Sequence, residues 1–119
     1  MFKWDSDERI QIIREATQIQ VEQVLTGILL LTNKFLYFHP VKQTGGLLTG
    51  KPFYDSRWHL DRLIEVQGKR YLLQNCAIEL YFIDSPEVFF AFKNRSDLQN
   101  FFLFFCKVIR NAGVFNGTR

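Results

Sequence analysis

Between Arg9 and Phe38 apolar residues alternate with polar ones or run in short blocks: Ile10 and Ile12, then Ile19 and Val21, then Ile28 to Leu31. Alternation with a period of two is the mark of a half-buried strand, so strands are predicted here, although Asp7-Glu8-Arg9 could also open a short helix. Thr32-Asn33-Lys34 separates Ile28–Leu31 from Phe35-Leu36-Tyr37-Phe38 and predicts a tight hairpin, because Asn33 tolerates turn backbone. From Pro40 to Ser56 the periodicity stops. That stretch holds Pro40, Gly45, Gly46, Gly50 and Pro52 and reads as one long loop.

A new apolar pattern starts at Arg57 and runs through Trp58, Leu60, Leu63, Ile64 and Val66, with Gly68 as its predicted end. Ala77 to Asp84 alternates cleanly. Ile78, Leu80 and Phe82 face one way, and Ala77, Glu79, Tyr81 and Ile83 face the other, so one side is core and the other carries a charge and a phenol. Ser85-Pro86 predicts a turn, and Glu87 to Lys93 returns as a strand with Val88, Phe90 and Phe92 on one face. At Ser96 the period changes to that of a helix. Ser96-Asp97-Leu98-Gln99 fits a capping box, Leu98, Phe101, Phe102, Phe105, Val108, Ile109 and Ala112 form one stripe, and Gly113 suits the C-terminal cap. A helix over about 97–112 follows, with Leu103 and Phe104 off its apolar stripe.

Six or seven strands and one amphipathic C-terminal helix predict a small curled antiparallel sheet whose open end the helix plugs. Composition agrees with a single packed domain: 119 residues, 47% apolar, 23% charged, a net charge of +3 and 13 Phe beside one Met. So many Phe can be all core, or core plus an apolar surface for a partner. Trp58 reads as core, as do Phe38, Phe82, Phe90, Phe92, Phe101, Phe102 and Phe105. Phe89 and Phe104 fall on the opposite faces of their elements.

Candidate chemistry is sparse. Cys76 and Cys106 sit in apolar segments and read as reduced thiols of a cytosolic protein. His39 and His59 have no second ligand at metal spacing, so no metal and no cofactor is expected. No nucleophile motif, phosphate loop or paired carboxylates argue for an enzyme, and the scattered cations form no nucleic-acid stripe. The longest apolar run, Phe101 to Cys106, is far shorter than the roughly 20 residues a membrane span needs, and Asp5, Asp7 and Glu8 argue against a signal peptide.

Three stretches go beyond architecture. Thr26-Gly27-Ile28-Leu29-Leu30-Leu31-Thr32 leads into Leu36-Tyr37-Phe38; Trp58 is followed by Leu63 and Val66; and Lys69-Arg70-Tyr71-Leu72-Leu73-Gln74 continues through Ala77-Ile78-Glu79-Leu80-Tyr81-Phe82. Together they resemble the pleckstrin-homology-like domain that precedes the BEACH domain in neurobeachin-type trafficking proteins. The resemblance runs from Ile12 to Val108, with Lys69 standing where that family mostly carries Arg. It implies a mainly β fold: a curled antiparallel sandwich or barrel of about seven strands capped by one C-terminal helix. Residues 9–113 would form the domain, 1–8 an N-terminal tail and 114–119 a tail or linker.

The resemblance also implies a non-catalytic interaction module of a vesicle or lysosome trafficking scaffold. Such a module docks on the BEACH domain of its own chain, is cytoplasmic and reaches endomembranes through the full-length protein. Lys69, Arg70, Glu79 and Tyr81 are its implied interface residues, with Phe89 and Phe104 as further apolar contacts. The bland alternative is that Lys69 and Glu79 are ordinary solvated charges, at most paired with each other across neighbouring strands and worth well under about 1 kcal/mol. A phosphoinositide headgroup needs converging cations, yet the span from Arg14 to Gln23 has only Arg14 against Glu15 and Glu22, so little or no phosphoinositide binding is expected. The competing function is peripheral membrane targeting through Lys42, Lys51, Arg57, Arg62, Lys69 and Arg70 on anionic lipid.

Overall fold

Each strand carries one apolar face, and the chain covers these faces by curling one sheet around a shared interior. The computed structural model describes residues 7–46, 54–71 and 74–111. Its strands are β1 (Ile10–Ile19), β2 (Gln23–Thr32), β3 (Phe35–Gly46), β4 (Ser56–His59), β5 (Leu63–Tyr71), β6 (Gln74–Phe82) and β7 (Val88–Phe92). All pairings are antiparallel, in the order β4-β3-β2-β1-β7-β6-β5. The two outermost strands, β4 and β5, are consecutive in the chain and joined by a 3₁₀ turn at Leu60–Arg62. Backbone bonds tie this corner down, from Leu60 N–H to Lys34 C=O (3.0 Å) and from Ile83 N–H to Arg62 C=O (2.8 Å). The sheet therefore closes into a half-barrel.

The interior is filled by the inward face of every strand, with Leu29, Leu31, Leu36, Phe38, Ile78, Leu80 and Phe90 fully enclosed. Trp58 lies half-buried over Phe82 and edge-on to Phe90. The helix α1 (Arg95–Asn111) seals the open end by inserting Phe101, Phe105, Val108 and Ile109. Phe101 lies between Phe92 and Phe105, at ring-centroid distances of 5.2 and 5.9 Å.

The observed elements differ from the sequence reading at five places. The strand β3 runs on to Gly46, so the first half of the expected Pro40–Ser56 loop is paired with β2; residues 47–53 lie outside the described ones. Pro40 is accommodated because the register shifts beside it and β4 has already ended opposite Phe38, so its missing N–H breaks no ladder. Val21 belongs to no strand: it stands fully exposed at the tip of the β1–β2 turn, where Gln20 N–H bonds Gln23 C=O (2.9 Å). Gly68 does not end β5, which continues to Tyr71.

The helix starts earlier than its Ser-x-x-Gln signature suggests. Asn94 caps it, its Oδ1 accepting Asp97 N–H at 2.8 Å, and the first helical bond runs from Leu98 N–H to Asn94 C=O. Asp97 lies in the first turn, where the helix dipole favours an anion. Phe102 is 39% exposed and is not core, because the buried arc centres on Phe101, Phe105, Val108 and Ile109. Ala112 and Gly113 lie outside the described residues.

Candidate interface on the outer face of the second sheet half

Strand alternation gives β5, β6 and β7 a second face, turned away from the interior. The register sets Gln67 opposite Glu79, Lys69 opposite Ala77, Glu65 opposite Tyr81 and Glu79 opposite Phe89. Lys69, Glu79, Tyr81 and Phe89 therefore share one outward surface. Glu79 is its centre. Its Oε1 accepts the Tyr81 hydroxyl (2.8 Å) and lies 3.5 Å from Lys69 Nζ, so the cross-strand pair that the sequence left as an alternative is formed.

Burial and charge shape this cluster. The Glu79 side chain is only 17% exposed while that of Lys69 is 38% exposed, so the carboxylate is held and the ammonium is reachable. The hydrogen bond to Glu79, aided by desolvation, raises the Tyr81 phenol above its ordinary pKa and keeps it a donor. Both contacts fall on Oε1. Among the described residues nothing is bonded to Oε2, which leaves an acceptor for an incoming donor.

Tyr71 joins the cluster, unsignalled by any charge pattern. It lies two residues beyond Lys69 on the same strand and meets Phe89 edge-on at 6.4 Å; the i, i+2 spacing was the available sign. Beside these rings runs a row of small side chains across four strands: Ala77 opposite Ala91, Ala91 opposite Thr17, Thr17 opposite Thr26. Thr17 and Thr26 are joined through their hydroxyls at 3.3 Å. A floor of small groups with an aromatic wall admits a protruding partner side chain, and the Lys69–Glu79 pair beside it supplies charge of both signs.

The remaining candidates lie elsewhere. Arg70 is exposed and of opposite strand parity to Lys69, on the side of β5 nearer Leu98. Phe104 is 41% exposed on the outer side of α1, next to Phe102 and Leu103, while Phe89 is half-buried on the sheet. Cys76 is buried and Cys106 partly so, both as free thiols; burial raises the Cys106 thiol above its usual pKa. Among the described residues no three His, Cys, Asp or Glu side chains cluster in a way that could hold a metal ion. Nor, among the described residues, is any helix long and apolar enough to cross a membrane.

The same fold occurs in solved structures. The C-terminal domain of an unknown protein from Leishmania infantum superposes with a TM-score of 0.61 at 14% identity, over 81% of this chain and 82% of that one. An N-terminally truncated linker-DH/PH fragment of a RhoGEF gives a TM-score of 0.64 at 10% identity over 90% of this chain. The DH/PH domain of human ARHGEF11, in a ternary complex with human RhoA and its inhibitor, gives 0.62 at 13% over 87%. This chain spans 30% of each of the latter two. At such identities the likeness establishes the fold, that of a PH domain. The family described as "PH domain associated with Beige/BEACH" matches residues 16–103, nearly all of the half-barrel and the first half of α1. The chain belongs to the family of PH domains associated with Beige/BEACH.

Proposed function

We propose that this domain is a non-catalytic interaction module that docks onto the BEACH domain of its own protein, through the outer face of β5, β6 and β7. The observation that carries the reading is the Lys69–Glu79–Tyr81 cluster. It is outward-facing, internally ordered before any partner arrives, and has one carboxylate oxygen and one ammonium to offer. Charges held in this way set register and reject wrong partners more than they add raw affinity. Phe89 and Tyr71 supply adjoining apolar area, and rigid aromatic groups lose little entropy on binding. The full-length protein would be a cytoplasmic scaffold of vesicle or lysosome traffic, meeting endomembranes and other trafficking proteins through its remaining domains.

The local chemistry supports a protein partner over a phosphoinositide. The β1–β2 turn, Gln20-Val21-Glu22, carries no cation, and Arg14 donates to the neighbouring Ile13 carbonyl (2.8 Å). Cations proposed to attract anionic lipid are dispersed: Arg57 stacks over the Phe35 ring, Arg62 lies 4.0 Å from Asp61, and Lys69 and Arg70 fall on opposite sides of β5. Phosphate recognition needs such groups convergent and free.

Calorimetric titration of the separately produced BEACH domain into this chain tests the assignment. Binding at micromolar affinity or tighter is expected, and Glu79→Arg or Lys69→Asp should weaken it at least tenfold, about 1.4 kcal/mol. Unchanged affinity in both variants would remove the assigned face. Co-sedimentation with phosphoinositide-containing vesicles at low salt tests the lipid reading, and no binding is expected.

A further inference from the structure

We propose that the outer edge of β5, with the cleft between its C-terminal half and α1, binds an extended peptide that adds as an eighth strand and places an acidic side chain against Arg70. The strand β5 is the last in the sheet order. Among the described residues no strand pairs with its outer side, so alternate backbone N–H and C=O groups face outward along it. An open edge of this kind is a template for another strand. The two ends of the sheet are not equivalent in this respect. The edge strand β4 has four residues, whereas β5 has nine.

The cleft gives the edge a place for side chains. On the inward parity β5 carries Val66, Gly68 and then Arg70, and Gly68 is paired with Ile78. A Cβ built on Gly68 meets nothing within 4 Å, so the missing side chain leaves open space and not a tight backbone approach. The helix rests chiefly on β1, β6 and β7, and Leu98 in its first turns borders the space together with Gly68 and Arg70. Leu98 is itself only half-buried against the core. An incoming strand would alternate its side chains, one falling over Gly68 against Leu98 and the next-but-one reaching Arg70.

Charge then selects the peptide. Arg70 is exposed and has no acidic partner among the described residues, in contrast to Lys69, which is held by Glu79 on the other face of the strand. Arg95 adds a second exposed cation at the start of α1. The expected occupant therefore has an apolar residue at one inward position and Asp or Glu at the neighbouring inward position, where a carboxylate can take the guanidinium fork. Lys69 and Ala77 of the BEACH-docking face also border this cleft, but the added strand uses the free backbone edge of β5 and the side of Gly68 and Arg70, so substitution at Glu79 tells the two apart.

The test is an NMR titration of the isotope-labelled 119-residue chain with blocked decapeptides of alternating Thr and Val. One peptide carries a central Asp at an inward position, a second Lys, and a third the Asp with N-methyl groups on alternate amides. The Asp peptide should shift the amides of Val66 to Tyr71 and of Leu98, bind at least fivefold tighter than the Lys peptide, and lose binding when N-methylated. Arg70→Glu should reverse the order of the first two, and Gly68→Leu should block both while the rest of the spectrum keeps its folded pattern. Glu79→Arg should leave the titration unchanged, which separates this edge from the docking face. No shifts at millimolar peptide, shifts confined to other surfaces, or equal binding of the N-methylated peptide would overturn the proposal.

Discussion

The Tyr37 hydroxyl donates to Glu8 Oε2 at 2.7 Å, and the same oxygen accepts the buried Thr32 hydroxyl at 2.6 Å. Through Glu8 the segment preceding β1 is fastened across the β2–β3 hairpin. Asp7 adds an ion pair with Lys34 (2.7 Å), and Arg9 and Asn33 exchange two further bonds. Burial first, and Glu8 second, push the Tyr37 phenol far above its ordinary pKa. Well below pH 10 the phenol is protonated in folded and unfolded chains alike, and the contribution to stability is whole. As pH rises above the unfolded value of about 10, the unfolded chain releases the proton while the folded one retains it, so stability falls. Urea unfolding at pH 8 and pH 10.5 should show this loss, and Tyr37→Phe should remove much of it. At neutral pH that variant should cost roughly 1.5–3 kcal/mol, the value of a hydrogen bond to a charged group.

Gly27 and Gly68 should respond in opposite ways to alanine. A Cβ on Gly27 would lie 2.7 Å from Pro40 Cα and 2.8 Å from the His39 carbonyl carbon, both backbone atoms of β3 that cannot move without unpairing the hairpin. Gly27→Ala should destabilise by about 1–3 kcal/mol, the range for forced overpacking. Gly68→Ala has open space and should be neutral or stabilising by about 0.5–1 kcal/mol, since glycine weakens a regular element. Denaturant midpoints of the two variants check both signs.

The helix plug makes a similar contrast between neighbours in sequence. Phe101 is fully buried between Phe92 and Phe105, so Phe101→Ala should cost about 3–5 kcal/mol. Phe104 is 41% exposed, and Phe104→Ser should stay within about 0.5 kcal/mol, as surface changes do. Thermal unfolding of the two variants decides whether the plug is placed as described.

Such contrasts show which features periodicity could reveal. The Ile28–Phe38 hairpin was legible from the turn residues Thr32-Asn33-Lys34 set between two apolar blocks that are buried on both faces, β6 and β7 from their period of two, and the helix from its one buried stripe. Phe102 was misread because a stripe drawn from Leu98 contains both 101 and 102, and only tertiary packing decides which of the two turns inward. The helix cap was displaced because Asn94-x-x-Asp97 and Ser96-x-x-Gln99 overlap by two residues and propensity alone does not rank them. The extension of β3 was hidden by Pro40 and Gly45-Gly46, residues a strand tolerates only where a partner ends or a register slips. At the candidate interface, alternation placed Glu79 and Tyr81 on the outer face; Arg70, adjacent to Lys69, falls on the opposite side of β5 for the same geometric reason.

Exchanging the charges of Lys69 and Glu79 separates their internal bond from a role in docking. Lys69→Glu with Glu79→Lys keeps an opposite pair on the same two strands, so the isolated domain should differ from the parent by less than about 1 kcal/mol in urea unfolding, the usual worth of a part-exposed pair. The Tyr81 phenol, raised mainly by its bond to the Glu79 carboxylate, should titrate at lower pH in the exchanged variant, because an ammonium at 79 favours the phenolate. Tyrosinate absorbance across an alkaline titration reads this shift. Binding to the BEACH domain should nevertheless fall at least tenfold, because a partner surface matched to Glu79 at the centre and Lys69 at the rim would meet like charges at both. An exchanged variant that folds, shows the lowered phenol and still binds at parental affinity would leave the pair a purely internal contact of the β5–β6 ladder.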